Sequence, residues 1–252
     1  MKNKKSIAVI GSQGMVGSDL VRYFKRNFQK VTGIDRKNYD QYREHHFDVV
    51  INANGNSKKY WANEHILADF VASTVSVYNS LFDFPCNTYI YISSSDVYEN
   101  HSSNKSTHES EIINPKNLTP YGLHKYLSEC IIQNVKTDYI ILRSSTILGT
   151  TPKKGPLFDM LHKSRLYITD KSRYQMITTQ ELAKIIHFLL NHNITKKIFN
   201  IGGRGVVALS EIMRYIKQPV VFPKDGETQI FRHPWNLENL HWCLNTHYIF
   251  YK

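Results

Sequence analysis

Apolar and polar positions along the first 150 residues switch repeatedly between two periods. Short, nearly continuous β-like runs are separated by stretches in which apolar residues recur every three or four positions. The first run is SIAVI, followed at once by Gly11, and a helix is predicted from about Met15 to Phe28 because Leu20, Val21, Phe24 and Phe28 fall at helical spacing. KVTGID reads as the second strand, and a brief helical piece around Tyr39 to Phe47 leads into the strand DVVIN. A long helix from about His65 to Phe82 would carry Leu67, Phe70, Val71, Val75, Tyr78 and Leu81 on one side, before the strand TYIYIS. After a polar loop rich in Ser, Asn and Pro, a helix starting near Pro120 is expected to turn Leu123, Leu127, Cys130 and Ile131 inward, and DYIILRS then reads as the sixth strand. Such alternation marks an α/β fold: a Rossmann-type doubly wound parallel sheet with helices on both faces.

From about Thr150 the pattern changes. TPKKGP contains two prolines and a glycine, and the chain beyond it is less regular. Residues 1–150 are therefore expected to form the Rossmann-type domain, and residues 151–252 a small substrate-binding lobe, separate from the first domain or interleaved with it. Within the second part, Thr178 and Glu181 are placed as a capping box for a helix from about Gln180 to Asn191. KIFNIGG reads as one more strand before a helix from Ser210, and the last thirty residues read as irregular.

Composition narrows the classes. A chain of 252 residues can bury a full core without staples. Its three cysteines, Cys86, Cys130 and Cys243, form no C-x-x-C pair and cannot all be paired within one chain, which points to a reducing, cytoplasmic setting. No run approaches the ~20 apolar residues of a membrane span. The formal charge of +11 is spread without any block of five or six like charges. A generally basic surface is the first reading, steering of an anionic substrate the second, and no nucleic acid is expected. The pairs His45/His46 and His241/Cys243 lack the accompanying ligand pattern of a metal site, and none is expected.

GSQGMVG places Gly11, Gly14 and Gly17 between the first strand and the first helix, with Met15 and Val16 inside the loop. Glycines there permit a tight turn, close backbone approach to a pyrophosphate and close helix–strand packing, while the helix N-terminus offers unpaired N–H groups. Asp35, at the end of the second strand, can accept hydrogen bonds from ribose hydroxyls. It favours NAD, although the neighbouring Arg36 could accommodate the extra phosphate of NADP. NANG, read as the end of a fourth strand, would bring Asn52, Asn54 and Gly55 to the same cofactor.

YGLHK holds Tyr121 and Lys125 four residues apart at a helix start, so both side chains share one face. A tyrosine with an ordinary pKa of ~10 is a poor base at neutral pH, and an ammonium one turn away stabilises its phenolate. The same lysine can hold the nicotinamide ribose. Upstream, YISSSDVY ends a strand with three serines whose hydroxyls could reach the same substrate oxygen.

In this order, GSQGMVG, Asp35, NANG, YISSSDVY, TPYGLHK and ILRSSTILG, continued by SRYQMITTQELAKII and IFNIGG, resemble the extended short-chain dehydrogenase/reductases, the NAD-dependent epimerase/dehydratase family of sugar-nucleotide enzymes. The resemblance runs to about residue 215. It implies that Ser94, four residues before Tyr98, is the catalytic serine beside Tyr121 and Lys125, with Ser95 and Asp96 next to the substrate. It also implies a sugar or nucleotide-sugar substrate and a homodimer; no membrane partner is expected, since no apolar run is long enough to span one. Ala72 or Ser73 stands where family members carry an Asn, and Thr146 where many carry an Asn on the substrate diphosphate. Arg173 matches a phosphate-binding arginine, one residue out of register, and Arg143 reads as structural. A hydride-transferring ketosugar reductase is the expected activity. The alternatives are an epimerase with retained NAD and, in another class, a non-catalytic dinucleotide sensor or structural subunit. Dehydration is not expected, because Ser94 is not followed by an Asp-Glu pair.

Overall fold

The computed structural model describes residues 3–56, 58–101, 103, 106–135, 138–151, 155–216, 219–226 and 228–231. Most of the irregular C-terminal stretch, with His241 and Cys243, and part of the TPKKGP segment lie outside the described residues.

β1 (Asn3–Ile10) enters α1 (Met15–Asn27), and β2 (Phe28–Ile34) leads through a 3-10 turn at Asp40–Tyr42 to β3 (Phe47–Asn52). Next come α2 (Lys59–Glu64), α3 (Ile66–Phe70), α4 (Ser76–Asp83), β4 (Cys86–Ser94), α5 (Pro120–Asn134) and β5 (Asp138–Ser144). The remainder comprises β6 (Thr146–Leu148), α6 (Pro156–Leu161), β7 (Arg173–Tyr174), β8 (Met176–Thr178), α7 (Thr179–Asn191), β9 (Lys197–Ile201), β10 (Val207–Ala208), α8 (Leu209–Met213) and β11 (Ile230–Phe231). The main sheet is six-stranded and parallel, in the order β2-β1-β3-β4-β5-β9. This is the doubly wound Rossmann-type arrangement, and its strand order reverses between β1 and β3. DVVIN is thus the third strand and DYIILRS the fifth, so the expected count ran one strand ahead. Among the described residues no helix is long and apolar enough to cross a membrane.

The near-continuous apolar runs reflect burial on both faces. Ile7 and Val9 of β1, with Val49, Ile51, Ile90, Ile92, Ile140 and Leu142, pack under α1 and α7 through Leu20, Phe24, Leu182, Ile186 and Leu189. The alternate residues Ala8, Ile10, Val50, Tyr89, Tyr91 and Ile141 meet Val77, Leu81 and Ile132 of α4 and α5 on the other face. β9 and α7, although late in the chain, belong to this main body: β9 pairs with β5, and Ile201 and Phe199 join the α1 face of the core. α7 begins as expected, with the Thr178 hydroxyl accepting from the Glu181 amide, whereas the Glu181 carboxylate pairs with Lys184 rather than closing a full capping box. A separate small core of Met160, Leu166, Ile168, Tyr174 and Leu209 gathers the remaining segments.

Two helical expectations are corrected. The stretch from His65 to Phe82 is not one α-helix: a π-turn at Val71–Val75 separates α3 from α4. Here the Ser76 hydroxyl donates back to the Ala72 carbonyl at 2.6 Å, the kind of back-bonding that bends helices, and the Ser73 hydroxyl donates to the Asp69 carboxylate at 3.5 Å. Its apolar side mostly faces out: Leu67 is 76% exposed, Val71 52% and Tyr78 49%, while Asp69, Ser73, Thr74 and Ser80 are buried. α5 is turned in the same way. Leu123, Leu127, Cys130 and Ile131 are only partly buried, and the inward face is Tyr121, Gly122, His124, Lys125, Ser128, Glu129 and Ile132. Polar groups on that face are matched by specific partners, which hydropathy alone does not register.

Candidate active site

Every predicted site segment of the first 150 residues lies at the carboxyl edge of the parallel sheet, where ligands sit in such folds: Gly11 after β1, Asp35 after β2, Ala53 to Gly55 after β3, Ser94 to Asp96 closing β4 and Thr146 past β5. The glycine loop is seated on β2 by Gly11 and Ser12 amides that both donate to the Ile34 carbonyl, at 2.9 and 3.1 Å. Gly11 has φ +82°, and a Cβ at Gly17 would stand 2.2 Å from the Gly11 carbonyl oxygen, so loop and helix meet backbone to backbone. The N-terminus of α1 has neither a side-chain cap nor an acidic residue in its first turn. Met15 packs against Gly149 beyond β5, and Val16 is half-buried. Such an uncapped N-terminus over a glycine-rich loop fits the pyrophosphate of a dinucleotide.

Asp35 comes directly after the residue that holds the loop. Its carboxylate accepts the Lys37 amide at 2.7 Å and its own amide donates to Asn38, which orients the side chain in a short turn. Arg36 is exposed beside it. Asn52 is fully buried: its amide nitrogen donates to Tyr89 and Ser80, and its oxygen accepts the Asn54 amide at 2.8 Å. It shapes the loop from the core side. Asn54 reaches Ser76 at 3.5 Å, and Gly55, at φ +121°, borders the Lys125 ammonium and the Ser73 hydroxyl.

Tyr121 is only 7% exposed at the start of α5, whose N-cap is the Thr119 hydroxyl accepting from Gly122. Gly122 packs directly on the 3-10 turn after β4, since a Cβ there would lie 2.2 Å from the Asp96 carbonyl oxygen. That approach brings Tyr121 against Ser94. Burial pushes the Tyr121 phenol up to about 12; Lys125 opposes this, Asp96 and Tyr91 reinforce it, and a hydrogen bond with Ser94 pulls it back. Lys125 is itself buried, 5.0 Å above the Tyr91 ring and 3.3 Å from the Ile92 carbonyl. Ser94 donates to the Asp96 carboxylate at 2.9 Å, and Ser95 is buried within the turn.

The structure brings Ser94, Asp96, Tyr121, Lys125 and Gly55 together. Thr146 lies on β6, with its amide bonded to the Gln175 carbonyl, and Arg173 is exposed on β7 in a different small sheet. Arg143 is paired with the fully buried Glu129, whose carboxylate also takes the Ser93 hydroxyl at 2.5 Å. Burial alone would lower the Arg143 pKa, but the Glu129 charge outweighs it and raises it further. His45 and His46 are exposed.

Sequence reading did not single out Lys59, His101, His124 or Asp69. Lys59 contacts the Asp96 carboxylate, and the His101 ring lies 3.6 Å from it. His124, inside YGLHK itself, donates its Nδ1–H to the buried Asp69 carboxylate at 2.6 Å, and Asp69 also takes the Asn56 amide at 2.8 Å. A histidine between Tyr121 and Lys125 was visible in the motif. Lys59 and Asp69 carry no local signal, because their partners lie far along the chain.

The model of the NAD dependent epimerase/dehydratase family matches residues 7–202. No curated protein sequence matches the chain. Among solved structures, UDP-glucose 4-epimerase of Thermotoga maritima, with UDP-glucose, is 13% identical over 93% of this chain and 91% of that one, with a TM-score of 0.70. RMD from Pseudomonas aeruginosa, complexed with NADPH, is 16% identical over 96% and 93%, at 0.76. A dTDP-4-dehydrorhamnose reductase from Clostridium acetobutylicum is 18% identical over 94% and 92%, at 0.73.

Proposed function

The chain belongs to the NAD dependent epimerase/dehydratase family, and from that premise we propose that it is a nicotinamide-dependent ketosugar reductase acting on a nucleotide-linked sugar. The observation that carries this reading is the buried Tyr121, held between the Lys125 ammonium and the Ser94 hydroxyl at the carboxyl edge of the sheet. The direct passage from β2 through one 3-10 turn to β3, with no additional strand between them, supports the reductase over the epimerase.

Gly11, Gly14, Met15, Val16 and Gly17 would hold the pyrophosphate, Asp35 the adenine-side ribose, and Asn54, Gly55 and Lys125 the nicotinamide end. Asn52 supports that loop from beneath, and Arg36 is the group that could meet a 2′-phosphate. The dinucleotide supplies or accepts the hydride. Tyr121 gives its proton to the sugar oxygen during reduction and takes it back during oxidation; Ser94, whose proton points to Asp96 in the free protein, would turn it onto the same oxygen. Lys125 lowers the cost of the phenolate through its charge. Ser95, Asp96, Thr146 and Arg173 are assigned to the substrate side. The lobe around Met160, Leu166 and Tyr174 is the substrate-binding part, interleaved with the main body through α7 and β9.

Dinucleotide released from denatured protein, measured by mass spectrometry, tests this. A reductase is expected to carry little NAD and to consume NADH or NADPH when keto-sugar nucleotides are added. Stoichiometric retained NAD would transfer the assignment to an epimerase, and failure to bind either dinucleotide would overturn it. In fluorescence titrations, Asp35→Ala is expected to weaken NADH about tenfold, the loss of one or two charge-assisted hydrogen bonds, and to narrow the gap to NADPH because Arg36 remains.

The outward apolar side of α3 and α4 supports a homodimer. Leu67, Val71, Tyr78 and Phe82 are each about half exposed or more, and the half-buried Leu127 and Cys130 lie on α5, which packs beside α4. A contiguous apolar face of this kind is uncommon on a monomer. Sedimentation equilibrium should give twice the chain mass, and Val71→Lys with Tyr78→Lys should give the monomer.

A further inference from the structure

Lys59, in the first turn of α2, contacts one oxygen of the Asp96 carboxylate, while the other oxygen accepts the Ser94 hydroxyl at 2.9 Å. Asp96 is tied by backbone contact to Gly122, the residue after Tyr121, and its side chain is only 11% exposed against 39% for Lys59. A continuous line of contacts therefore runs from a lysine at the rim to the buried phenol. We propose that Lys59 is a positioning residue which, through Asp96, sets the proton affinity of Tyr121 and so the pH range over which the site works. The inference rests on the reading of Tyr121 as proton donor and acceptor given above.

Electrostatic surroundings define the expected signs. Tyr121 faces Lys125 on its own helix, Tyr91 and Ser94 on β4, and Asp96 on the turn. Asp96 faces Ser94, Lys59 from α2 and the His101 ring at 3.6 Å. Burial holds the His101 imidazole below its ordinary range; Asp96 opposes that and Lys59 adds to it, so the ring is neutral where a tyrosine titrates. Beyond the Lys125 ammonium on its own helix, the balance on the turn side of Tyr121 is thus the Asp96 carboxylate against the Lys59 ammonium that contacts it. The carboxylate by itself raises the phenol, because a phenolate next to a negative charge is disfavoured. Lys59 offsets it. Removing the ammonium should raise the Tyr121 pKa, removing the carboxylate charge should lower it, and removing both should nearly restore it. Unit charges several ångströms apart at an effective dielectric of ~20 can move a pKa by about one unit.

The pH dependence of kcat/KM reads this in the complete enzyme. Asp96→Asn is expected to move the tyrosine limb down by about one unit from its high starting point, and Lys59→Met to hold reduction to higher pH than wild type. The double variant should return to within about 0.3 unit of wild type, and Lys59→Arg should restore the original profile. A second readout needs no turnover. In protein carrying 13C-labelled tyrosine, the Tyr121 resonance is identified by its loss in Tyr121→Phe, and its titration should shift with the same signs. If Lys59→Met and Asp96→Asn shift in the same direction, or neither shifts while both remain folded by circular dichroism, Lys59 has no such role. Full turnover in Tyr121→Phe would instead remove the reading on which the inference rests; an inactive Tyr121→Phe with an unmoved limb in Lys59→Met removes this inference alone.

Discussion

Tyr121→Phe is expected to reduce kcat by about a hundred- to ten-thousandfold while dinucleotide affinity changes by less than about threefold, because the substitution removes a proton donor and leaves the ring. Tyr121 is buried, so its aromatic body is packed irrespective of the hydroxyl, and the Lys125 ammonium beside Gly55 stays where it is. The hydroxyl is the one atom lost, together with its hydrogen bond to Ser94. Steady-state kinetics with a keto-sugar nucleotide, paired with fluorescence titration of NADH, measures both halves. A sensor or structural subunit predicts the opposite: its dinucleotide-dependent behaviour would survive the substitution. The acidity of the phenol also bears on the direction of the reaction. Burial pushes it up to about 12, above the ordinary tyrosine value, so in the free protein Tyr121 is protonated at neutral pH and ready to donate. This is the form that reduction requires, and oxidation is favoured as pH rises toward the phenol pKa.

Glu129→Ala is expected to destabilise the fold by ~3–5 kcal/mol, the usual cost of leaving a buried charge without its partner. Glu129 is fully buried and Arg143 is 3% exposed, with three guanidinium hydrogen bonds to the carboxylate between 2.7 and 3.2 Å. Arg143 also donates to the Tyr98 hydroxyl, which passes on to Asn200 at 2.9 Å. The pair therefore joins α5, β5, the turn after β4 and β9. For a chain of this size, such a loss lowers Tm by roughly 6–20 °C. Differential scanning calorimetry on Glu129→Ala and on the double variant Glu129→Leu with Arg143→Met separates the causes. The double variant should recover most of the stability, since no unpaired charge remains. An unchanged Tm in Glu129→Ala would mean that the guanidinium finds water or another partner.

Hydrophobic period was sufficient for β1, α1, β3, β4, β5, α7 and β9, because strands buried on both faces and an amphipathic cover helix write their environment directly into residue type. It misled at α3, α4 and α5. There much of the apolar stripe faces outward, and Val77, Leu81 and Ile132 share the buried side with Asp69, Ser73, Thr74, His124, Lys125 and Glu129. Periodicity identifies two faces of a helix but not which of them meets the sheet, and burial of polar groups becomes tolerable only where matching partners exist.

The proposed chemistry was legible to a similar degree. Residues that act through local spacing could be read in line: the glycines between β1 and α1, Asp35 just past β2, and Tyr121 four residues before Lys125 on one helical face. Such relations depend on helix pitch and strand ends, which the chain encodes within a few residues. The family resemblance added Ser94. Tertiary structure alone decided that the turn carrying Asp96 closes on Gly122, that Lys59 reaches that carboxylate, that Asp69 joins His124, and that Asn52 serves the loop from the core rather than the open edge. These contacts join residues far apart in sequence, 55 positions for Asp69 and His124, and their energy comes from desolvation and pairing at a single point in space. No periodicity or short motif records such a meeting, because it exists only once the sheet has brought the strand ends side by side.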